Sequence, residues 1–151
     1  MDILFTNAKL IDPDARNIAT GALATKNGKI AAIITDNSTL PDAAQIIDCD
    51  RKYLAPGIVD IGVKVCEPGE RHKESFGTAG LAAAAGGVTT MVTRPDTDPA
   101  IDNPETLEFV IRRAREAAPV NVLPMAALTK GRQGRQMTEI GFLLDAGAVA
   151  F

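Results

Sequence analysis

The sequence has little of the material that several kinds of site require. Among its 151 residues there is one histidine, His72, and there are two cysteines, Cys49 and Cys66. A zinc site rich in histidine cannot be built from a single imidazole within this chain. Two cysteines do not make a disulfide framework, and a reducing compartment suits them, so we expect a cytoplasmic protein.

Long apolar runs and an excess of basic charge are also missing. No apolar stretch approaches the roughly 18 residues of a membrane span, and no charged and then apolar leader opens the chain. We therefore expect neither membrane insertion nor secretion. The formal net charge is −3, which leaves no basic patch for nucleic acid.

The first third of the chain has the pattern of a small β unit, expected over residues 1–53. Asn27-Gly28 is the strongest short hairpin signal and separates two of its strands. A polar loop is predicted from Asn37 to Asp42. About four strands are predicted, over residues 2–11, 18–25, 29–35 and 45–48.

Beyond the turn at Pro56-Gly57, the pattern changes to an alternation of strands and helices over residues 54–151. Such alternation predicts βαβ units around a parallel sheet. Strands are predicted at 58–65, 88–93, 120–127 and 148–151, and helices at 74–85, after Asn103, and at 138–146.

The helix after Asn103 carries the clearest local signals. Asn103 is a good N-cap residue, and Pro104 suits the first helical position. On its outer face, Glu108 and Arg112 are spaced to form an ion pair. The spacing of its apolar residues predicts a buried stripe of Leu107, Val110, Ile111 and Ala114.

The strand at 58–65 presents polar residues at alternate positions near its carboxyl end. Residues two apart in a strand point to the same face. The pattern predicts Asp60, Gly62 and Lys64 on one face and Ile61, Val63 and Val65 on the other. A strand of this kind is where an α/β barrel places its chemistry.

Several motifs resemble the start of the barrel in dihydroorotases and their amidohydrolase relatives, the dihydropyrimidinases and allantoinases. The resemblance implies the first half of a TIM-like (β/α)8 barrel, preceded by a small β-sandwich portion. Since a whole barrel needs roughly 250 residues, we expect a fragment of a longer chain. The matching segments are 55–60, Glu67-Pro68-Gly69, His72-Lys73-Glu74, 82–90 and 95–102.

The resemblance also implies a zinc site, but this chain departs from the family pattern at four positions. Where the family has a His-x-His metal pair, this chain has Gly62 and Lys64. Cys66 replaces an arginine that holds the substrate carboxylate, and Asp96 replaces a substrate-binding asparagine. Glycine has no ligand atom and an ammonium has no lone pair, while an acid at position 96 should repel an anionic substrate.

We therefore predict no catalytic residue, no metal ligand and no cofactor in this chain. The vestigial site positions are Asp60, Gly62, Lys64, Cys66 and Asp96. Asp60 is either a remnant of the site or a structural carboxylate bonded to nearby backbone. Lys64 either holds an anion, pairs with Asp96 or is solvated. Cys66 is either a reactive thiol or a small buried hydrophobe.

Three further groups of polar residues have a functional and a structural interpretation. His72 is either a ligand or a polar loop residue. Glu67, Asp96 and Asp98 either form a cluster for a hard cation or form none, with Asp98 explained by an Asp-Pro turn. Lys130, Arg132 and Arg135 either bind phosphate or form a solvated loop, and no phosphate-loop motif supports the first interpretation.

Three functional hypotheses follow from the resemblance. The first is a non-catalytic dihydroorotase-like protein of pyrimidine biosynthesis that acts as a structural partner of aspartate carbamoyltransferase. The second is an active metal-dependent cyclic amide hydrolase whose ligands come from later strands. The third is a non-enzymatic assembly module. An open barrel edge and an exposed apolar face favour association, so an oligomer is expected.

Overall fold

A computed structural model describes residues 1–36 and 38–151 of the chain. The chain divides into two compact units, Met1–Pro56 and Gly57–Phe151. The boundary between the units follows Pro56, and the predicted boundary followed residue 53. Asn37, the first residue of the predicted polar loop, lies outside the described residues, and residues 38–42 have no regular secondary structure.

The first unit is one mixed sheet of five strands with the order β3-β2-β1-β4, in which β5 pairs with β1. Asn27 and Gly28 both have positive φ and close the antiparallel β2–β3 hairpin, as predicted from the Asn-Gly signal. Four strands were expected, and the extra one, β5, has two residues. The strands are β1 Ile3–Asp12, β2 Asn17–Lys26, β3 Lys29–Ile34, β4 Gln45–Asp48 and β5 Tyr53–Leu54.

The second unit is a parallel three-stranded sheet with the order β6-β7-β8 and helices between the strands. Its parallel pairing confirms the prediction of βαβ units. The strands are β6 Ile58–Val63, β7 Val88–Thr93 and β8 Asn121–Pro124, and the helices are α1 Phe76–Ala85, α2 Pro104–Ala117 and α3 Ile140–Asp145.

Both longer helices begin after a capping side chain, of which the sequence predicted only the one at Asn103. The Ser75 hydroxyl accepts from the Thr78 N–H at 3.2 Å and caps α1, and the Asn103 side chain caps α2. The predicted α2 stripe packs inward, with Leu107 and Val110 fully buried. The predicted Glu108–Arg112 pair was wrong, because Arg112 pairs forward with Glu116.

One apolar core lies between the sheet and the helices. Each large side chain that is fully buried there contributes about 1.5–3 kcal/mol of transfer free energy. Burial of these residues holds the carboxyl ends of the strands in a fixed position for the loops that follow. The largest core residues are Phe76, Met91, Ile101, Leu107, Val110 and Leu143.

Four predicted elements differ from the observed ones. The predicted strands 58–65 and 120–127 end early, at Val63 and Pro124, and the predicted helix 138–146 is shorter. The fourth strand, predicted at 148–151, does not form a regular ladder. Val149 and Ala150 make single backbone bonds to Pro124 and Ala126, and Pro124 has no N–H with which to continue a ladder.

No helix in the described part of the chain combines the length and the apolarity needed to span a bilayer.

Candidate functional site

The candidate site lies at the carboxyl edge of the second sheet, where β6 and β7 end. Lys64 directly follows β6, and Arg94 and Asp96 follow β7. The Arg94 N–H donates to the Val63 carbonyl at 2.9 Å, so the two segments remain paired past the last strand residues. Parallel pairing of β6 and β7 thereby brings three charged side chains from two segments to one edge of the sheet.

Asp96 holds these charges together. Its Oδ2 atom lies 2.8 Å from Nη2 of Arg94 and 3.4 Å from Nζ of Lys64. The Asp96 side chain is 8% exposed, whereas Lys64 is 52% and Arg94 48% exposed. The structure therefore forms the Lys64–Asp96 pair that was one interpretation of the sequence, and adds a second cation to it.

Gly62 breaks the regular alternation of β6. Its φ is +96°, and the register with β7 shifts between Ile61 and Val63. Such a shift is a β-bulge, and it reverses the faces of the residues that follow. The expectation that Asp60, Gly62 and Lys64 share one face was wrong for this reason.

The residues paired across the sheet show the consequence of this bulge. Asp60 pairs with Met91 and Val63 with Thr93, and these two partners lie on one face of β7 because they are two residues apart. Lys64 therefore follows on the face opposite to Asp60. Ile61 is 72% exposed, whereas Val65, which was expected on the same face, is buried.

Glu67 is the second buried carboxylate near this edge, and its partners are on helices. Oε1 accepts from Nε of Arg113 at 2.8 Å, and Oε2 accepts from the Phe76 N–H at 3.0 Å. Nε of Arg71 lies 3.5 Å from Oε1. Burial acts to raise the pKa of Glu67, but the bonds from Arg113 and Phe76 outweigh it and hold the pKa below its usual value.

The other predicted positions are not drawn into a common site. Asp60 is exposed and makes no side-chain hydrogen bond with any residue that the structure describes, so its expected bond to nearby backbone is not seen. Cys66 is a half-buried free thiol, and His72 is exposed in the turn before α1.

Zinc does not fit the donor atoms at this edge. Gly62 offers none, and the Lys64 ammonium faces Asp96. Glu67 and Asp96 are each bonded to their own cations instead of converging with Asp98. Over residues 1–36 and 38–151, no three His, Cys, Asp or Glu side chains are placed to share a metal.

The basic loop that follows β8 is ordered by an acid from another loop. Lys130, Arg132 and Arg135 are all exposed. Oδ2 of Asp102 accepts from the Gly131 N–H at 2.7 Å, so the backbone amide at the turn is already bonded to a carboxylate. This contact places a negative charge beside the loop, which disfavours a bound phosphate.

Reasoning from the sequence missed Arg94, Arg113 and Asp102. Arg94 had a usable signal, since it directly follows a strand of a parallel sheet and such positions carry function in barrels. Arg113 had none, because it lies 46 residues from Glu67 on a surface helix. Asp102 was predicted to be only the last residue of the segment 95–102 that resembles the family.

Solved structures with a similar fold define the class of protein. L-Hydantoinase (dihydropyrimidinase) from Arthrobacter aurescens superposes with a TM-score of 0.84 at 28% identity, covering 99% of this chain and 32% of that one. A D-hydantoinase matches with a TM-score of 0.70 at 22% identity over 97% of this chain and 36% of its own, which shows the fold alone. The predicted α/β class is confirmed, and the chain covers only part of these amidohydrolase barrels.

Sequence comparison gives the family. Residues 51–151 match the family model described as "Dihydro-orotase-like". Proteins named dihydroorotase from Bacillus cytotoxicus and Bacillus thuringiensis are 41% and 42% identical over all 151 residues. The chain belongs to the dihydro-orotase-like family, and it spans 35% of the length of these relatives.

Proposed function

We propose that this protein is a non-catalytic, dihydroorotase-like component of pyrimidine biosynthesis and a structural partner of aspartate carbamoyltransferase. The observation that carries the proposal is the ion pair between Lys64 and Asp96. It joins two positions at which the resembled family has a metal ligand and a substrate-binding asparagine. Both positions have changed, and the new side chains bond to each other.

Electrostatics supports the loss of metal chemistry at this edge. Two unit charges 4 Å apart in an environment of effective dielectric constant 20 interact by about 4 kcal/mol. A divalent cation placed beside Lys64 and Arg94 would meet repulsion of that order from each. Asp96 offsets part of this repulsion, but its Oδ2 atom already contacts the charged groups of both Lys64 and Arg94.

The retained scaffold supports a structural role. Identity of 41–42% to proteins named dihydroorotase extends over the whole chain, while the four departures from the family's site pattern lie in or just beyond the ends of β6 and β7. A protein that keeps its fold and changes its site residues is suited to act through its surfaces. The choice of aspartate carbamoyltransferase rests on the family resemblance.

Two measurements test the proposal on the protein as its source makes it. Metal analysis and a dihydroorotate hydrolysis assay should give no stoichiometric zinc and no turnover. Turnover with bound metal would instead establish the active cyclic amide hydrolase, with ligands from other strands.

Co-purification with aspartate carbamoyltransferase from the same source tests the partnership. The complex should form equally well with the Lys64→Ala variant, because a half-exposed side chain at the strand end is not needed for association. Failure of both the natural protein and the variant to co-purify would reject the partnership and favour a different assembly role.

A further inference from the structure

We propose that the basic loop, residues 128–137, is a docking surface for an acidic segment of a partner protein. The inference rests on the proposed function, because it names the surface through which a non-catalytic protein would associate with its partner. The loop lies between β8 and α3 and carries Lys130, Arg132 and Arg135. No acid stands between residues 128 and 138.

Unpaired positive charge is the first argument. The second unit has ten Lys and Arg residues, and six of them form ion pairs. The other four are Arg115 and the three cations of the basic loop. Among the residues that the structure describes, no side chain pairs with these three cations. Since the whole chain has a net charge of −3, this loop is a local excess of positive charge that suits an acidic partner.

The order of the basic loop is the second argument. Thr129 and Met137 form an antiparallel bridge across its base. The Gly134 N–H donates to the Thr129 hydroxyl at 3.0 Å, and the Gly131 N–H donates to Asp102 at 2.7 Å. A loop that is already ordered loses less conformational freedom on association than a mobile one. The three charges are therefore presented to a partner at low entropic cost.

Exposed apolar side chains at both ends of the basic loop are the third argument. Leu128 is 52% exposed and Met137 is 60% exposed. Arg and Met are enriched at protein interfaces, and the flexible Met side chain adapts to irregular surfaces. These side chains match an acidic protein segment that also carries apolar residues.

Nucleic acid matches the basic loop less well. Proteins that bind single strands combine basic grooves with aromatic side chains on which bases stack, and residues 128–137 include no aromatic. The net charge of the chain also opposes a polyanion. A protein segment, whose acids are spaced along the chain, can place one carboxylate on each cation.

Fluorescence anisotropy tests the inference on the protein as its source makes it. The probe is a fluorescein-labelled peptide in which Glu and Leu alternate, and its control has Gln in place of every Glu. The acidic peptide should bind more tightly, and less so as salt is added. The triple variant Lys130→Gln/Arg132→Gln/Arg135→Gln should weaken binding about tenfold, since each exposed charge pair contributes up to about 1 kcal/mol.

Arg115→Gln is the matched control, because it removes an exposed cation of α2 that also has no ion pair among the described residues. It should leave the affinity for the acidic peptide unchanged. Circular dichroism checks folding, and the single variant Arg135→Gln replaces a triple variant that fails to fold. Equal affinity for the two peptides, or equal affinity in the natural protein and the loop variants, would overturn the inference. Tighter binding of an RNA oligonucleotide through the same three cations would overturn it as well.

Co-purification with aspartate carbamoyltransferase separates the inference from the proposed function. The natural protein and Arg115→Gln should co-purify with it, and the triple variant should not. If the triple variant co-purifies equally well, the inference fails and the proposed partnership stands. If the natural protein does not co-purify, the partnership fails, and the peptide titration still decides whether the loop binds acidic segments.

Discussion

Glu67 and Asp96 follow neighbouring parallel strands, and their side chains are almost equally buried, at 5% and 8% exposure. Their partners differ. Glu67 makes its two shortest bonds to Arg113 on α2 and to the first N–H of α1, while its third partner, Arg71 at 3.5 Å, is exposed. Asp96 bonds to Lys64 and Arg94, which are about half exposed.

The difference shows how two carboxylates of equal burial can have different roles. A carboxylate whose shortest bonds reach two helices ties those helices to its own segment. A carboxylate bonded to half-exposed cations of neighbouring segments holds the charged groups of one sheet edge together. The following predictions test this distinction, beginning with the largest expected effect.

Glu67→Ala should cause the largest loss of stability. It leaves Arg113 only its longer contact to Glu116 and removes the acceptor of the Phe76 N–H. A buried N–H left without an acceptor costs roughly 1–3 kcal/mol, and the lost charged hydrogen bond adds to this. Urea unfolding measures the loss, and Glu70→Gln, which changes an exposed acid nearby, is the matched control. Similar losses in the two variants would contradict the structural role of Glu67.

The pH dependence of stability should follow Glu67. Since its pKa is lower in the folded state than the usual value of about 4.5, its contribution is fully present above that value. The contribution is lost as the pH falls through the lower, folded-state pKa. Urea midpoints between pH 3 and pH 7 should therefore fall in acid, and Glu67→Gln should fall less steeply. An equal fall of the urea midpoint with pH in the natural protein and in Glu67→Gln would contradict this prediction.

Gly62→His should cost about 1–2 kcal/mol, because a side chain at φ of +96° is strained. No atom lies within 4 Å of a Cβ built there, so strain and not collision causes the loss. The double variant Gly62→His/Lys64→His should gain zinc by metal analysis yet little dihydroorotate turnover, since Cys66 and Asp96 still stand where the family has substrate-binding residues. Substantial turnover would show that Cys66 and Asp96 matter less than we infer.

Asp96→Asn should have the smallest effect on stability, about 1 kcal/mol or less, because both of its cations can be solvated. Urea unfolding measures the effect. A loss as large as that of Glu67→Ala would remove the distinction between the two acids.

Local signals predicted most of the fold. The Asn27-Gly28 hairpin, the Asn103 cap and the apolar stripe of α2 each depend on residues close in sequence, and all three were confirmed. The prediction of a fourth strand at 148–151 was wrong because the neighbouring strand, β8, ends at Pro124, which has no N–H. Residues 148–151 themselves carry no sign of this.

The candidate site was less predictable because its geometry depends on registers and long-range pairs. A single shift at Gly62 moved Lys64 to the face opposite Asp60, and strict alternation cannot anticipate such a shift. The resemblance identified Lys64 and Asp96 as changed positions. The sequence left the Lys64–Asp96 pair as one of several interpretations, and the packed structure forms it and adds Arg94.

The bulge at Gly62 also bears on the order in which two histidines could be introduced at this strand end. Histidine at position 62 alone meets backbone strain, and a lone imidazole beside Lys64 makes no metal pair. Histidine at position 64 alone removes one partner of Asp96. Each single substitution therefore costs stability or an ion pair before the second histidine can complete a metal pair.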